Sequence, residues 1–401
     1  MRINPSAQGW VSKFFSSVQL HREFECYDDV HFYYKRRETG FIYGHIVSFD
    51  SKFAEVTDDL SKDEKSKIAL LNILFKMYLL RTESPSTDDF VKQLVAFYEL
   101  IDPSRGNLFF RYFSGTSLHE RIEKLIDNRI QTNYNFIGKN FSNILTNTLL
   151  FMDILAFDHF LSGKKDIQDY LTQLEAALLM VVAAALNAKM KKTNHDELIA
   201  KMFESSVRYT KFSDFSRKEA LNFKDIKMNT LLEKLYLLDL VAMTIYSDAL
   251  QDDNETAFVV NVGQNIGLSE EMIATSLTSV QAFIHQYKEE IPYFSMSNPI
   301  QNFYNQSSNS IQKLLSRNKR RILTEAMQSK QLVVLLAQST QRSLTKEEKK
   351  VVKSQVIDIC KTIPSLAIFL LPGGSLLLPI LIKFIPTLLP SSFNENLQNE
   401  N

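Results

Sequence analysis

The sequence is poor in residues that break helices or cross-link chains. Its 401 residues include only 11 glycines, 10 prolines and two cysteines, Cys26 and Cys360. Two cysteines far apart in the chain form neither a disulfide framework nor a cysteine-rich metal site, which favours a reducing, cytosolic setting for most of the chain. We expect Cys360 to be a small buried side chain rather than a reactive thiol. The start, MRINPSAQGWVSKFF, has no apolar run of signal-peptide length and lacks the Arg- and Ser-rich composition of a transit peptide, so we expect no targeting peptide there.

The chain also lacks the short motifs that carry enzymatic chemistry. It has no glycine-rich phosphate loop, no HExxH zinc motif and no GxSxG nucleophile motif. Its seven histidines are scattered along the chain. A carboxylate pair that forms only in the folded protein stays open as an alternative. We therefore expect a protein that is not an enzyme and that needs no cofactor.

What the sequence does contain is helix-forming material. It is 45% hydrophobic and 23% charged, as in ordinary soluble proteins. Apolar residues recur three and four positions apart in 64–81, 143–161, 170–190, 229–250 and 270–289. Strand-like alternation occurs only in 30–50, where a short hairpin around Thr39 and Gly40 is an alternative to helix. The predicted fold class is all-α, with a multi-helix body and one C-terminal membrane segment kinked by proline and glycine.

Shifts in composition divide the chain into six predicted parts. The stretch before the basic region contains no charged residue and is rich in Asn, Ser and Gln, which indicates a linker, with an ordered surface loop as the alternative. The parts are an N-terminal helical region (1–165), a second helical region (166–290), the uncharged linker (291–312), basic juxtamembrane helices (313–361), a membrane segment (362–393) and a tail (394–401).

The zero net charge is a cancellation between these parts. Residues 313–361 hold twelve basic and four acidic residues and so carry +8, whereas the 312 residues before them carry −7. By the positive-inside rule, this charge predicts that the body stays on the cytoplasmic side of a membrane. We expect the basic residues to face anionic lipid, although a solvated helix face is the alternative. This basic collar comprises Arg317, Lys319, Arg320, Arg321, Lys346, Lys349, Lys350 and Lys353.

The predicted membrane segment begins with 21 uncharged residues, 362–382. As a helix they would extend about 30 Å, the thickness of the hydrocarbon core. Helix-breaking residues favour a kinked single span, with a re-entrant hairpin and a buried core segment as alternatives. Lys383 can reach the headgroups from the edge of the segment. The helix-breaking residues are Pro364, Pro372, Gly373, Gly374, Pro379, Pro386 and Pro390.

The run at 376–393, LLLPILIKFIPTLLPSSF, resembles the membrane segment of the Letm family. Members of this family are leucine-zipper/EF-hand transmembrane proteins of the mitochondrial inner membrane, and they have bacterial relatives. The helix before it, SLTKEEKKVVKSQVIDICKTIP at 343–364, is also similar, with Thr345 expected to open it through a capping box. Ser375 stands where many family members carry a glutamate, which weakens the case for ion exchange by this chain. We expect the family's soluble ribosome-binding domain to be missing, because eight residues follow Phe393. The matching positions are Leu344, Thr345, Glu347, Asp358, Pro364, Pro379, Lys383, Phe384, Pro386, Pro390, Ser391 and Phe393.

A second resemblance lies in the body. An acidic cluster, followed by GLSEEMI at 267–273, resembles a TerB-like tellurite-resistance module, which is all-helical. Ser269 is expected to be an N-cap, and Ala249 replaces the family's turn glycine. The cluster offers oxygen ligands for a divalent cation, although its spacing is not that of the 12-residue calcium loop and acidic residues also favour helix N-termini. It comprises Asp248, Asp252, Asp253 and Glu255.

Together the two resemblances imply a function. Bacterial proteins with this combination are named as biofilm-associated relatives of the Letm family. The implied role is a membrane-anchored adaptor in envelope, stress or biofilm-related physiology, linked to cation homeostasis, in the bacterial cytoplasmic (inner) membrane. The alternatives are a subunit of a cation/proton transporter and a membrane-tethered ribosome-binding protein. The expected partners are anionic membrane lipid, an unidentified protein and a second copy of the chain, with no nucleic acid apart from a ribosome contact.

Overall fold

A computed structural model describes residues 3–17, 28–50, 60–101, 117–136, 149–164, 166–188, 228–246, 253–287, 290, 315–316, 318–342 and 344–363. These residues form thirteen α-helices and no strand, so the all-α prediction is confirmed for the described part of the chain. The helices are α1 (Trp10–Ser17), α2 (Asp29–Glu38), α3 (Lys62–Arg81), α4 (Thr87–Ile101), α5 (Leu118–Phe136), α6 (Phe151–Leu161), α7 (Ile167–Ala188), α8 (Leu231–Ile245), α9 (Asp253–Asn265), α10 (Glu270–Tyr287), α11 (318–327), α12 (Lys330–Gln341) and α13 (Lys346–Thr362).

The helices of the body pack in two adjoining groups around one core. Helix α8 is buried along almost its whole length and packs against α2, α7, α9 and α10. Helices α3, α4, α5 and α6 form the neighbouring group, which meets the first through α6 and α7. The hydrophobic core is contiguous from Ile3 to Ile284. It therefore extends across the predicted boundary at residue 165, and the division into two helical regions stays a prediction.

Local sequence explains where several body helices begin. Ser61 and Glu64 form a capping box at the start of α3, in which the Glu64 amide donates to the Ser61 hydroxyl at 3.3 Å and the Ser61 amide donates to the Glu64 carboxylate at 2.9 Å. Thr230 and Glu233 form the same arrangement at the start of α8. Such side chains satisfy amides that have no partner in the first turn of a helix.

The hairpin alternative around Thr39 and Gly40 is wrong. The preceding residues form helix α2, because burial follows helical spacing and falls on Phe32, Tyr33, Arg36 and Arg37. The helix ends at Glu38 with Thr39 as its C-cap, and Gly40 follows with a φ of +74°, in the left-handed region. The His45 amide donates to the Gly40 carbonyl at 3.1 Å, which closes a turn rather than a ladder.

A buried carboxylate lies in the middle of apolar helix α8. Arg37 of α2 donates two hydrogen bonds to Asp239, and its guanidinium lies 4.9 Å from the centre of the Tyr33 ring. The Tyr33 hydroxyl donates to the same carboxylate at 3.0 Å. These contacts satisfy a charge that would otherwise be costly in the core.

The same arrangement recurs in helix α6. Asp153 is fully buried and accepts two hydrogen bonds from Arg129 of α5, one from Nε at 2.7 Å. Tyr98 of α4 donates to Asp153 at 3.4 Å, and its ring centre lies 5.9 Å from the Arg129 guanidinium. A buried aspartate bound by an arginine and a tyrosine thus joins helices in each half of the body, α2 to α8 at Asp239 and α4 and α5 to α6 at Asp153.

Among the described residues, α7 is the one helix long and apolar enough to cross a membrane by length and composition. About 61% of its apolar window is buried, against α8, α6 and α4, so its apolar character is that of a core helix. The C-terminal position predicted for an apolar helix is not supported by the described residues. Of the predicted membrane segment they include only Thr362, the last residue of α13, and Ile363, its C-cap. The linker, the tail and the residues Pro364, Pro372, Gly373, Gly374, Pro379, Lys383, Pro386 and Pro390 lie outside them.

Candidate functional site: the basic C-terminal helices

The candidate site is built on helices α11, α12 and α13. Helices α12 and α13 pack against each other through buried aliphatic side chains that include Leu332, Leu336, Val352 and Val356. Cys360 is fully buried on α13, and burial raises the pKa of its thiol to about 12. The prediction that Cys360 is a small buried side chain is therefore confirmed, since a thiol of such high pKa holds little of the reactive thiolate.

Polar contacts fix the start of α13 against the end of α12. The Thr345 amide donates to the Glu348 carboxylate at 2.8 Å and the Glu348 amide donates to the Thr345 hydroxyl at 3.2 Å, which confirms the predicted capping box. Arg342 donates to both oxygens of Glu348, at 2.8 and 2.7 Å. The hydrogen bond from Arg342 is the main reason why the pKa of Glu348 falls to about 2. These contacts connect the end of α12 to the first turn of α13.

Four lysines of the basic collar form a stripe along α13. Lys346, Lys349, Lys350 and Lys353 are all exposed, and their spacing of three, four and seven residues places them on one face. The stripe is about 10 Å long at 1.5 Å per residue. Among the described residues, no carboxylate lies within ion-pair distance of these four side chains. We call this feature the lysine stripe.

Acidic residues of α13 lie away from the lysine stripe. Glu347 and Asp358 are exposed and, at 100° per residue, lie about 120° around the helix from the centre of the stripe. Asp358 forms an ion pair with Lys361 at 2.7 Å, and Glu348 forms an ion pair with Arg342. One face of α13 is therefore purely cationic.

The other described collar residues line a cavity. A space of about 480 Å³ lies between α11 and residues 3–11, which we call the N-terminal segment. It is bordered by three exposed residues at the start of α11, Lys319, Arg320 and Arg321. The remaining lining residues are Asn4, Ala7, Ser316, Asn318 and Leu323. The structure thus places the collar in two groups on different helices, while Arg317 lies outside the described residues.

The predicted acidic cluster is only partly described. Asp253 is the first residue of α9 and Glu255 lies in its first turn, positions that carboxylates favour at a helix N-terminus. Asp248 and Asp252 lie outside the described residues. The described residues contain no group of three His, Cys, Asp or Glu side chains able to hold a metal, so the metal site stays a prediction. Ser269 accepts from the Met272 amide at 3.3 Å, which confirms the expected N-cap.

The division of the collar into a stripe and a cavity lining was not predicted from the sequence. The common face of the four lysines could have been found from their spacing once α13 was predicted to be a helix. The cavity had no comparable signal, because it joins Asn4 and Ala7 to residues more than 300 positions later in the chain.

Comparison with known proteins finds a similarity in the C-terminal part of the chain. Residues 344–401 match the family model described as LETM1-like, RBD. The match begins two residues before α13 and contains the whole lysine stripe. The description of the matching model includes the ribosome-binding domain, which weighs against the expectation that this domain is missing. Comparisons with curated proteins and with solved structures found no match. The segment that bears the lysine stripe is therefore similar to the LETM1-like family.

Proposed function

We propose that the protein is a membrane-tethered, Letm-like adaptor whose C-terminal helices contact the ribosome. The observation that carries this proposal is the lysine stripe. It places four exposed cations, which form no ion pair with a described residue, on one face of α13 inside the segment that matches the LETM1-like, RBD model. Ribosomal RNA is the partner that such a face suits, because its phosphates attract lysine whatever the base sequence.

The architecture of α13 supports a contact with phosphates rather than with bases. Lysine is a compact point charge on a flexible stem, suited to phosphate oxygens, and the stripe contains no aromatic side chain on which a base could stack. The Arg342–Glu348 contact and the capping box hold the first turn of the helix, so the stripe is presented on a rigid element. We expect binding to depend strongly on salt.

The distance to the predicted membrane segment favours the ribosome over lipid for the lysine stripe. Lys353 lies nine positions before Thr362, and Lys346 lies sixteen positions before it. In a helix along the membrane normal, these lysines would lie about 14 to 24 Å from the start of the apolar segment. The headgroup layer is only about 5 to 8 Å thick on each side of the bilayer. The stripe would therefore extend into the water beyond it.

The helical body would be the adaptor part of the protein. Its net charge of −7 disfavours direct contact with RNA phosphates or with an anionic leaflet, which leaves proteins as its partners. The TerB-like resemblance supports a role in envelope, stress or biofilm-related physiology, with the body on the cytoplasmic side of the bacterial inner membrane. Carbonate extraction of membranes tests the tether: retention in the pellet is expected, and release into the supernatant would contradict it.

Sedimentation with purified bacterial ribosomes tests the ribosome contact. The detergent-solubilised full chain is expected to pellet with ribosomes, and a stripe variant, K346Q/K349Q/K350Q, is expected to stay in the supernatant. The slope of log affinity against log salt should fall by about three, one for each lysine lost. The matched control is a cavity variant, K319Q/R320Q/R321Q, which removes the same charge from α11 and should bind like wild type. Equal loss in both variants would contradict a specific contact.

A further inference from the structure

We propose that the cavity between the N-terminal segment and α11 binds a phosphomonoester group. The site would lie before residue 344, outside the segment that matches the family model, and is independent of the proposed ribosome contact. Its volume of about 480 Å³ falls within the range of small-molecule sites. The space can therefore hold a phosphate together with part of the group to which it is attached.

The charge of the lining identifies the ligand class. Lys319, Arg320 and Arg321 contribute three positive charges, and none of the described residues that line the cavity carries a carboxylate. Among the described residues none of the three is engaged in an ion pair, so their mutual repulsion is uncompensated there. A phosphomonoester carries close to two negative charges at neutral pH, whereas a phosphodiester carries one. A lining with three cations thus matches the monoester better than the diester.

The donor groups of these side chains suit phosphate. Each guanidinium presents a planar fork of donors that can bind two phosphate oxygens at once, and the ammonium adds a point charge. Ser316 and Asn318 add a hydroxyl and an amide to the same lining. Asn318 is only 3% exposed, which places it in the wall of the cavity rather than at its rim.

The opposite wall is already fixed without a ligand. In the N-terminal segment, the Gly9 and Val11 amides donate to the Glu123 carboxylate of α5 at 3.1 and 3.0 Å. Ser6 donates to the Glu64 carboxylate of α3, and the Ser6 amide donates to the Asn4 side chain at 3.0 Å. A preformed wall lowers the entropy cost of binding. A bound phosphate would therefore connect the C-terminal helices to the body.

Calorimetric titration of the detergent-solubilised full chain with inorganic phosphate tests the site. The cavity variant, K319Q/R320Q/R321Q, should bind about tenfold more weakly or worse, as expected for losing even one charge-assisted contact. The stripe variant, K346Q/K349Q/K350Q, loses the same charge elsewhere and should bind like wild type. Ala7→Phe keeps every charge but fills the cavity, and should also abolish binding. Circular dichroism checks that each variant is folded, and the cavity variant changes only exposed side chains.

Vesicle flotation distinguishes the two sources of the phosphate. If the ligand is a lipid headgroup, the chain should prefer phosphatidylcholine vesicles containing phosphatidate over vesicles with equal negative charge from phosphatidylglycerol, and the cavity variant should lose that preference. Binding of inorganic phosphate without such a preference would support the site and assign it to a soluble phosphate compound. The proposal is overturned if wild type binds no phosphate, if the stripe and cavity variants lose binding equally, or if Ala7→Phe binds like wild type.

Discussion

Arg37 of α2 and Asp239 of α8 form a buried ion pair across 202 positions of the sequence. Nε and Nη2 of Arg37 donate to the two carboxylate oxygens at 2.7 and 2.8 Å, and the residues are 6% and 0% exposed. Burial opposes the charge on Arg37, but Asp239 outweighs it and raises the pKa of the guanidinium. Ser276 of α10 also donates to Asp239, so this single carboxylate joins three helices.

We expect Asp239→Asn to destabilise the body strongly, because it leaves the Arg37 charge buried without a counter-ion. Breaking a buried pair in this way costs about 3 to 5 kcal/mol. Urea unfolding measures the change, with Glu271→Gln, an exposed position on α10, as the control. The double replacement R37M/D239L should cost less than Asp239→Asn alone, because it removes both charges together. A cost no larger than that of the control would contradict the account of the pair.

Replacement by alanine should have unequal effects at two glycines, Gly40 in the turn after α2 and Gly163 after α6. Gly40 and Gly163 have φ values of +74° and +78°, so alanine is strained at both. A Cβ at Gly40 would lie 2.0 Å from the His45 carbonyl oxygen, whereas nothing lies within 4 Å of one at Gly163. We expect Gly163→Ala to cost about 1 kcal/mol and Gly40→Ala clearly more, since the second adds a clash with backbone. Equal losses of unfolding free energy would show that the turn at Gly40 is not as described.

Protonation of Glu348 should loosen the start of α13 at low pH. The pKa of Glu348 is lowered from 4.5 to about 2, so its stabilising contribution is complete above pH 4.5 and is lost as the pH falls toward 2. Hydrogen exchange of the amides at 345–348 measures this. Glu348→Gln should lower the protection factors of these amides at neutral pH and remove the pH dependence of the protection factors in that window. Glu347→Gln, at the exposed neighbouring position, should behave like wild type, and a matching change there would contradict the role of Glu348.

Cys360 should be inert in the folded protein. Its thiol is buried and its pKa of about 12 leaves very little thiolate at neutral pH. With Cys26 replaced by serine, Cys360 is the only thiol in the chain. Maleimide labelling should then be slow in native buffer and fast in urea. Rapid labelling of the native chain would show that α12 and α13 do not pack as described.

Much of the helical fold is predictable from local pattern, because burial of one helix face gives a period that is visible in the sequence. Helices α3, α7 and α10 begin and end within a few residues of their predicted limits. The segment around α2 was ambiguous because two of its buried side chains, Arg36 and Arg37, are charged. Their counter-ions, Asp50 and Asp239, come from other parts of the chain, and local pattern cannot supply such pairings. The one local sign of such a pairing is a lone aspartate within an apolar helix, as in LYLLDLVAM, because a buried carboxylate needs a partner.

The candidate site was predictable in charge but not in shape. The excess of basic residues before the apolar segment is a property of the sequence, and all the described collar residues are indeed exposed. Their separation into a stripe and a cavity depends on the register of α13 and on contact between α11 and the N-terminal segment. Of these, only the register can be derived from local spacing.

Site-specific photo-cross-linking of the full chain to bacterial ribosomes tests the central claim most directly. A cross-linker at position 349 lies within the lysine stripe, and one at position 347 lies at the same level of α13 but about 160° around the helix. The account predicts cross-links to ribosomal RNA from position 349 and few or none from position 347. Equal cross-linking from both positions, or none from position 349, would contradict it.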